Sequence, residues 1–277
     1  MGLRIATNVA SESAQKVLKH NAEDQQKHYS RLSSGDRITS AADDAAGLSI
    51  SENMRAQIRS LKQAERNAND GISFVQVAEG GMTEISNILI RLRELSIQGA
   101  SDTVGDKERS FLNAEFQSLV QEIDRISNVT NFNGTPLLNA EAVKGQLEFQ
   151  VGTQATEADR IVFDAAENDV RTGALGVDAL GTLSVDDARD SLGKLDAAMD
   201  VVNAARARLG AMQNRLVSTT KNISTATENL SHARSRIADA DLAEETANLV
   251  KSNILQSASI AILGQANSAP KQALSLL

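Results

Sequence analysis

Apolar residues recur at every seventh position through much of the C-terminal half of the chain. This spacing predicts a single helix with a continuous buried stripe along one side. Ser184, with Asp187 three residues later, is typical of a helix N-terminal cap. We therefore predict a helix from Ser184 to Ile237, with a length of about 80 Å. The heptad positions are Leu195, Val202, Leu209, Leu216, Ile223, Leu230 and Ile237.

The N-terminal half contains a second series with the same spacing, which predicts a partner helix. Gly71, Gly80 and Gly81 fall inside this series and permit close approach of another backbone. A third amphipathic stretch covers residues 112–126, where apolar residues follow one another at spacings of four and three. We expect a mainly α fold, an elongated antiparallel helical bundle in which the second half folds back along the first. The second series consists of Met54, Leu61, Ala68, Val75, Met82 and Leu89.

The segment between the two long helices has a different pattern. FNGTPLL at 132–138 contains the Asn, Gly and Pro of a turn. Leu147, Phe149 and Val151 alternate with polar residues, and Ile161 and Phe163 do the same after an intervening loop. We predict a small β-hairpin near 145–165. The Gly-rich stretch 167–182 that follows is expected to be a crossing on the surface.

Both chain termini are separated from the heptad helices by a break in the pattern. The stripe changes phase after Ile237, because the next strong apolar residue, Leu242, follows five positions later. Residues 32–47 are small and polar and precede the N-terminal series. We predict an inner domain of paired terminal helices, coiled-coil-like, from 1–40 and 240–277. The remaining residues, 41–239, form the predicted outer bundle domain with the β-hairpin.

Apolar residues of the C-terminal segment lie on all sides of a helix. Such a helix must be buried on all sides, and the N-terminal segment can cover only one of them. We therefore predict that the termini form a core shared between several copies of the chain. The residues of this predicted core are Leu3, Ile5, Val9, Val17, Leu18, Leu249, Ile254, Leu255, Ile260, Ile262, Leu263 and Leu274.

The composition favours long helices and does not favour catalysis. Aromatic residues make up 3% of the chain and there are two prolines, which suits helices packed through aliphatic side chains. The chain has no cysteine, which excludes disulfides, cysteine-ligated zinc and thiol nucleophiles. No GxGxxG, Walker A, GxSxG or HExxH motif occurs. We expect no enzyme activity and no cofactor.

The charges and histidines of the chain argue against nucleic acid, metal ions and a membrane as partners. The net charge of -8 argues against nucleic acid. His20 and His28 are eight residues apart, too far for a typical metal-ligand pair, so we expect no metal site and an exposed or interfacial role for both. Residues 252–270 carry no charge, but polar residues interrupt them throughout, so no membrane insertion is predicted. No cleavable secretory signal is visible at the N-terminus.

Four stretches that cover most of the chain resemble bacterial flagellin, in the order of that family. They are RLSSGDRITSAADDAAGLSISENMRAQI (31–58), NANDGISFVQVAEGGMTEISNILIRLRELSIQ (67–98), EFQSLVQEIDRISNVTNFNGTPLL (115–138) and ENLSHARSRIADADLAEETANLVKSNIL (228–255). The segment ILGQAN and the ending LSLL add to the match. The resemblance extends to both ends of the chain.

The resemblance implies a structural protein of the flagellar filament. Subunits of this family self-assemble into the helical polymer that drives swimming, and their termini are disordered in the monomer and fold on assembly. The family is extracellular, and its type III export needs no cleavable signal peptide. The implied partners are other copies of the chain, the export apparatus, an export chaperone, the filament cap and the hook-junction proteins.

Two features of the family bear on the surface of the outer bundle. Many members carry large variable outer domains, but only about twenty residues separate the hairpin from Ser184 here, so no such domain is expected. An innate immune receptor of animals recognises some flagellins through an Arg and a Leu on one helix and a Glu on the next. This motif maps onto Arg91, Leu95 and Glu115, which could equally serve packing between subunits.

Two other functions stay open. A hook–filament junction protein of the same export system shares the terminal segments with flagellin. A coiled-coil fragment of a signalling receptor would also form long helices, but it would lack a β-hairpin and apolar termini.

Overall fold

The computed structural model describes residues 7–140 and 146–274, and most of these residues are helical. The prediction of a mainly α fold with a small β-hairpin is confirmed. The helices are α1 (Val9–Ser34), α2 (Ala45–Gly99), α3 (Asp106–Val129), α4 (Thr172–Leu175), α5 (Val185–Ala238) and α6 (Leu242–Leu274). The strands are β1 (Asn131–Phe132), β2 (Thr135–Pro136), β3 (Gln146–Gln150) and β4 (Arg160–Asp164).

The chain divides into two compact units. The terminal unit consists of Met1–Ile58 with Glu228–Leu277, and the central unit is Arg59–Thr227. The long helices α2 and α5 each contribute residues to both units. The inner and outer domains predicted from the sequence have other boundaries, and that division stays a prediction.

The core of the central unit is built from α2, α3 and α5. A Cβ atom placed on Gly99 of α2 would lie 3.5 Å from Cβ of Ala188, and one placed on Gly71 would lie 3.4 Å from Cδ1 of Leu216. These pairings show that α2 and α5 run in opposite directions. The heptad residues that are buried in this core are Ala68, Val75, Met82, Leu89, Leu195, Val202, Leu209, Leu216 and Ile223.

The remaining heptad residues are only half-buried. Leu61 belongs to the central unit, whereas Met54, Leu230 and Ile237 belong to the terminal unit. Burial along both heptad series is therefore highest within the central unit. At the start of α5, Ser184 Oγ accepts a hydrogen bond from Asp187 N at 3.0 Å, which confirms the predicted cap.

Glycines in α2 allow other segments to approach the helix closely. A Cβ atom on Gly81 would lie 2.8 Å from both Leu138 Cδ1 and Thr130 Oγ1, so a larger residue would displace the segment after α3. A Cβ atom on Gly71 would likewise lie close to the ring of Phe149, 3.2 Å from its Cδ1. A Cβ on Gly80 would meet no atom within 4 Å, so this glycine is not explained by close packing.

Two antiparallel hairpins cover one part of the core. Asn133 and Gly134 form the two-residue turn between β1 and β2, with φ of 51° and 78°. Positive φ at both positions is the reason for an Asn-Gly sequence there. Strands β3 and β4 pair with Leu147 opposite Phe163, as the alternation predicted. The ring of Phe74 makes edge-on contacts with Phe132, Phe149 and Phe163.

The stretch 167–182 is not a surface crossing, and that prediction is wrong. It buries four apolar side chains in the core of the central unit, Val170, Leu175, Val177 and Leu180. It is also tied to α3, because the backbone N–H and the hydroxyl of Thr172 both donate to Asp124 Oδ1 at 2.9 Å. Gly176, with φ of 66°, ends α4 between the buried Leu175 and Val177.

Candidate assembly surface

Helices α1 and α6 pack side by side in opposite directions. Near the beginning of α1, Asn8 Nδ2 donates to the carbonyl oxygen of Ala266 at 2.9 Å. Near the end of α1, His28 Nδ1 donates to Glu245 Oε2 at 2.6 Å. We call these two helices the terminal helix pair.

The seam between the two helices is largely polar. Ser11 Oγ donates to Asn267 Oδ1 at 2.8 Å, and Asn21 Nδ2 donates to Ser259 Oγ at 3.3 Å. Gln25 Nε2 also donates to Asn253 Oδ1. A two-stranded coiled coil normally buries Leu, Ile and Val at such positions. The terminal helix pair therefore withdraws little apolar area from water through its own contact.

A cluster of charged groups lies at one end of this seam. Glu245 is only 7% exposed, and its Oε1 accepts a hydrogen bond from Arg31 Nη1 at 3.0 Å. Burial acts to raise the pKa of Glu245, but the hydrogen bonds from His28 and Arg31 outweigh it and hold the pKa below its ordinary value. The carboxylate is therefore ionised at neutral pH and paired on both oxygens. His28 lies at the helix interface, one of the two positions expected for it.

Several large aliphatic side chains of the terminal helix pair are exposed, and most of them lie on α6. Besides Leu242 at the first position of α6, seven large aliphatic side chains are between 44 and 64% exposed, and we call these seven the outward face. Single exposed aliphatic residues are common on protein surfaces, but five of these fall within 13 residues of α6, from Val250 to Ile262. The outward face consists of Val9, Val17, Val250, Ile254, Leu255, Ile260 and Ile262.

The residues predicted for a shared core have three placements. Val9, Val17, Ile254, Leu255, Ile260 and Ile262 belong to the outward face. Leu18, Leu249 and Leu263 are half-buried within the terminal helix pair. Leu3, Ile5 and the side chain of Leu274 lie outside the described residues. That these residues form a core between copies stays a prediction.

The polar seam between α1 and α6 was not predicted from the sequence. Glu245, Ser252, Ser259 and Ala266 are seven residues apart, and the first three are buried. Leu249, Gln256 and Leu263 lie between them at spacings of four and three, and all three are half-buried. The heptad signal was present, but most residues that carry it are small or polar. A search for apolar periodicity could not find it.

Arg91 and Glu115 form an exposed ion pair on the central unit. Arg91 Nη2 donates to Glu115 Oε1 at 2.9 Å, and its Nη1 donates to Glu94 Oε2 at 3.0 Å. The hydrogen bond to Glu115 contributes most to raising the pKa of Arg91. Leu95 is 1% exposed, so its side chain lies in the core. Only Arg91 and Glu115 of the motif offered for an immune receptor are on the surface, and that contact stays a prediction.

Two other kinds of site are absent from the described residues. None of the described helices is long and apolar enough to cross a membrane. Within 7–140 and 146–274, no group of three His, Asp or Glu residues is placed to hold a metal ion.

Comparisons with known proteins place the chain among flagellins. A family model of the bacterial flagellin N-terminal helical region matches residues 5–142, and one of the C-terminal helical region matches residues 192–277. Flagellin of Halalkalibacterium halodurans is 43% identical over 270 residues, which cover 98% of each chain. Flagellin of Bacillus subtilis is 40% identical over 307 residues, covering 99% of this chain and 100% of the relative.

Further relatives include a filament protein and two solved structures. The flagellar filament 33 kDa core protein of Treponema phagedenis is 40% identical over 285 residues, with 98% of each chain covered. The crystal structure of Bacillus cereus flagellin has a TM-score of 0.51 at 29% identity, covering 61% of this chain and 94% of that one. A flagellar hook-associated protein from Vibrio parahaemolyticus has a TM-score of 0.58 at 16% identity, covering 71 and 100%, and shows a likeness in fold alone.

Proposed function

Because the chain belongs to the bacterial flagellin family, we propose that it is the structural subunit of a flagellar filament. It assembles with other copies of itself into a helical polymer that serves swimming motility. The observation that carries this proposal is the inverted terminal helix pair, which is polar within its seam and apolar on its outward face. Exposed apolar surface of this kind is typical of a site that other chains cover.

The polar seam and the apolar outward face of the terminal helix pair also support folding of the termini on assembly. Ordering a residue costs about 1–2 kcal/mol of backbone entropy, and a neutral hydrogen bond in the seam returns only about 1 kcal/mol. The larger gain, about 25 cal/mol per Å² of apolar area, requires neighbouring copies to cover the outward face. The termini are therefore disordered in the monomer and become helical when they join a polymer.

Further parts of the proposal rest on family membership. The protein is secreted to the extracellular flagellum without a cleavable signal peptide. Its partners before and during assembly are the export apparatus, an export chaperone, the filament cap and the hook-junction proteins. An inner domain of 1–40 and 240–277 forms the filament core, and its role is structural rather than catalytic. Arg91 and Glu115 are the surface groups through which an animal immune receptor would contact the central unit.

A hook–filament junction protein is the alternative. The hook-associated structure shares the fold at 16% identity. Flagellins from two genera and a flagellar filament core protein from a third share 40 to 43% identity over nearly the whole chain. Sequence similarity along both units therefore favours the filament subunit.

Seeded elongation tests the proposal. Purified chain is added to short filament seeds and followed by sedimentation and electron microscopy, beside a chain shortened after Asp241 that lacks α6. We expect only the full chain to elongate the seeds. Elongation by both chains would contradict a role of α6 in assembly, and elongation by neither would favour the junction protein.

A further inference from the structure

Helix α6 is not divided into one apolar side and one polar side. Large apolar residues occur around the whole circumference, and so do side chains that form hydrogen bonds. If α6 turned about its own axis, it would still present hydroxyl and amide groups to α1 and aliphatic groups to the outside. Within 252–270 the polar residues are Ser252, Asn253, Gln256, Ser257, Ser259, Gln265, Asn267 and Ser268.

Main-chain contacts do not select one side either. Arg37 N donates to the carbonyl oxygen of Ala238 at 2.6 Å, and Ala240 N donates to that of Gly35 at 2.8 Å. These bonds hold the beginning of α6 beside the end of α1. They involve no side chain of α6, so they do not determine which side of α6 faces α1.

One buried group removes this ambiguity. Glu245 is the one charged side chain buried among the described residues of α1 and α6. Both side chains that pair with it, the imidazole of His28 and the guanidinium of Arg31, come from α1. Its neighbour Glu244 is exposed and lies about 100° away around the helix axis. Turning α6 would separate Glu245 from both of its hydrogen-bond donors, and a buried charge without its partners is strongly unfavourable.

We propose that Glu245 is a positioning residue for assembly. Together with His28 and Arg31 it fixes which side of α6 faces α1, and therefore which aliphatic side chains form the outward face offered to a second copy. This inference rests on the proposed function. A buried polar group that specifies one arrangement at some cost in stability is well known in coiled coils.

Introduced cysteine pairs can report the facing, because the chain contains no cysteine of its own. Asn21→Cys with Ser259→Cys reports the observed facing, since these two side chains are hydrogen bonded. Asn21→Cys with Ile260→Cys reports a helix turned by one residue. Each pair is combined with Glu245→Gln and, as the matched control, with Glu244→Gln. A charge exchange, Arg31→Glu with Glu245→Arg, completes the set.

Cross-linking is measured under mild oxidation in polymer collected after seeded elongation. With Glu245 present, the first cysteine pair should cross-link in preference to the second. We expect Glu245→Gln to abolish this preference, Glu244→Gln to retain it, and the charge exchange to restore it. A merely structural role of Glu245 would lower the amount of polymer without changing the preference.

An unchanged preference in polymer of Glu245→Gln would overturn the inference while leaving the filament function intact. If Glu245→Gln does not assemble, the charge exchange decides: polymer with the original preference supports the inference, and failure to assemble overturns it. Failure of the cysteine-free parent chain to elongate seeds would instead overturn the proposed function, and this inference with it.

Discussion

The central unit and the terminal helix pair bury opposite kinds of side chain. In the central unit, residues such as Leu89, Phe116 and Leu209 are fully buried against one another. In the terminal helix pair, the buried residues are serines and Glu245, while aliphatic residues such as Ile254 and Ile262 are exposed. The first arrangement is stabilised within one chain by apolar burial. We propose that the second gains the same stabilisation between chains, so that one sequence encodes both a subunit and its mode of assembly.

The largest expected effect comes from a charge on the outward face. Leu255→Asp should abolish seeded elongation, because assembly would bury an unpaired carboxylate. The central unit should keep its helical circular dichroism and its unfolding midpoint. Elongation is measured by sedimentation and electron microscopy.

Val162→Asp is the matched control for Leu255→Asp. Val162 lies in β4 of the central unit and is 42% exposed, close to the 44% of Leu255. We expect it to elongate seeds normally. Normal elongation by Leu255→Asp, or equal loss by both variants, would remove the distinction between the two regions.

The reverse experiment truncates a buried residue of the central unit. Leu209→Ala should lower the free energy of unfolding of the monomer by about 2–5 kcal/mol, because it leaves a cavity among packed helices. Denaturant titration followed by circular dichroism measures this change. Val201→Ala on the same helix removes a side chain that is 46% exposed, and its effect should stay within about 0.5 kcal/mol. Equal effects of both substitutions would show that α5 is not packed as described.

The contrast between the regions also explains what the sequence could predict. The series from Leu195 to Leu216 predicts its helix, because large apolar residues recur along the side that is buried. Ser252 and Ser259 occupy equivalent positions in α6, but small polar residues on a seam resemble those on a surface. In 167–182, four buried aliphatic residues lie between glycines and acidic residues, and no regular period connects them. The burial of the α6 seam and of 167–182 depends on contacts with segments that are distant in the sequence. Local sequence patterns do not contain that information.

Acid should weaken the terminal helix pair through Glu245. Because its pKa in the folded chain lies below the ordinary value, its contribution to stability is complete above the ordinary carboxyl range. It is lost as the pH falls through the lowered pKa. We expect polymer to dissociate at a higher pH in Glu245→Gln than in the parent chain, because that variant lacks the ion pairs at every pH. Sedimentation across an acid series measures the midpoint.

Glu244→Gln again serves as the control in the acid series. Glu244 is exposed, so its replacement should leave the dissociation midpoint near that of the parent chain. A midpoint that does not change in Glu245→Gln would show that the charged cluster adds nothing to the polymer's resistance to acid.

The smallest effect on stability is expected for an ion pair that lies on the surface. Arg91 and Glu115 form an ion pair much like that of Arg31 and Glu245, but both side chains are nearly half exposed. Water and salt screen such a pair, and holding two long side chains in place costs entropy. Arg91→Ala should therefore leave the unfolding midpoint of the central unit unchanged within experimental error, at low and at high salt. A loss as large as that of Leu209→Ala would mean that this ion pair supports the core beneath it, and that Arg91 cannot be treated as a surface group available to a partner.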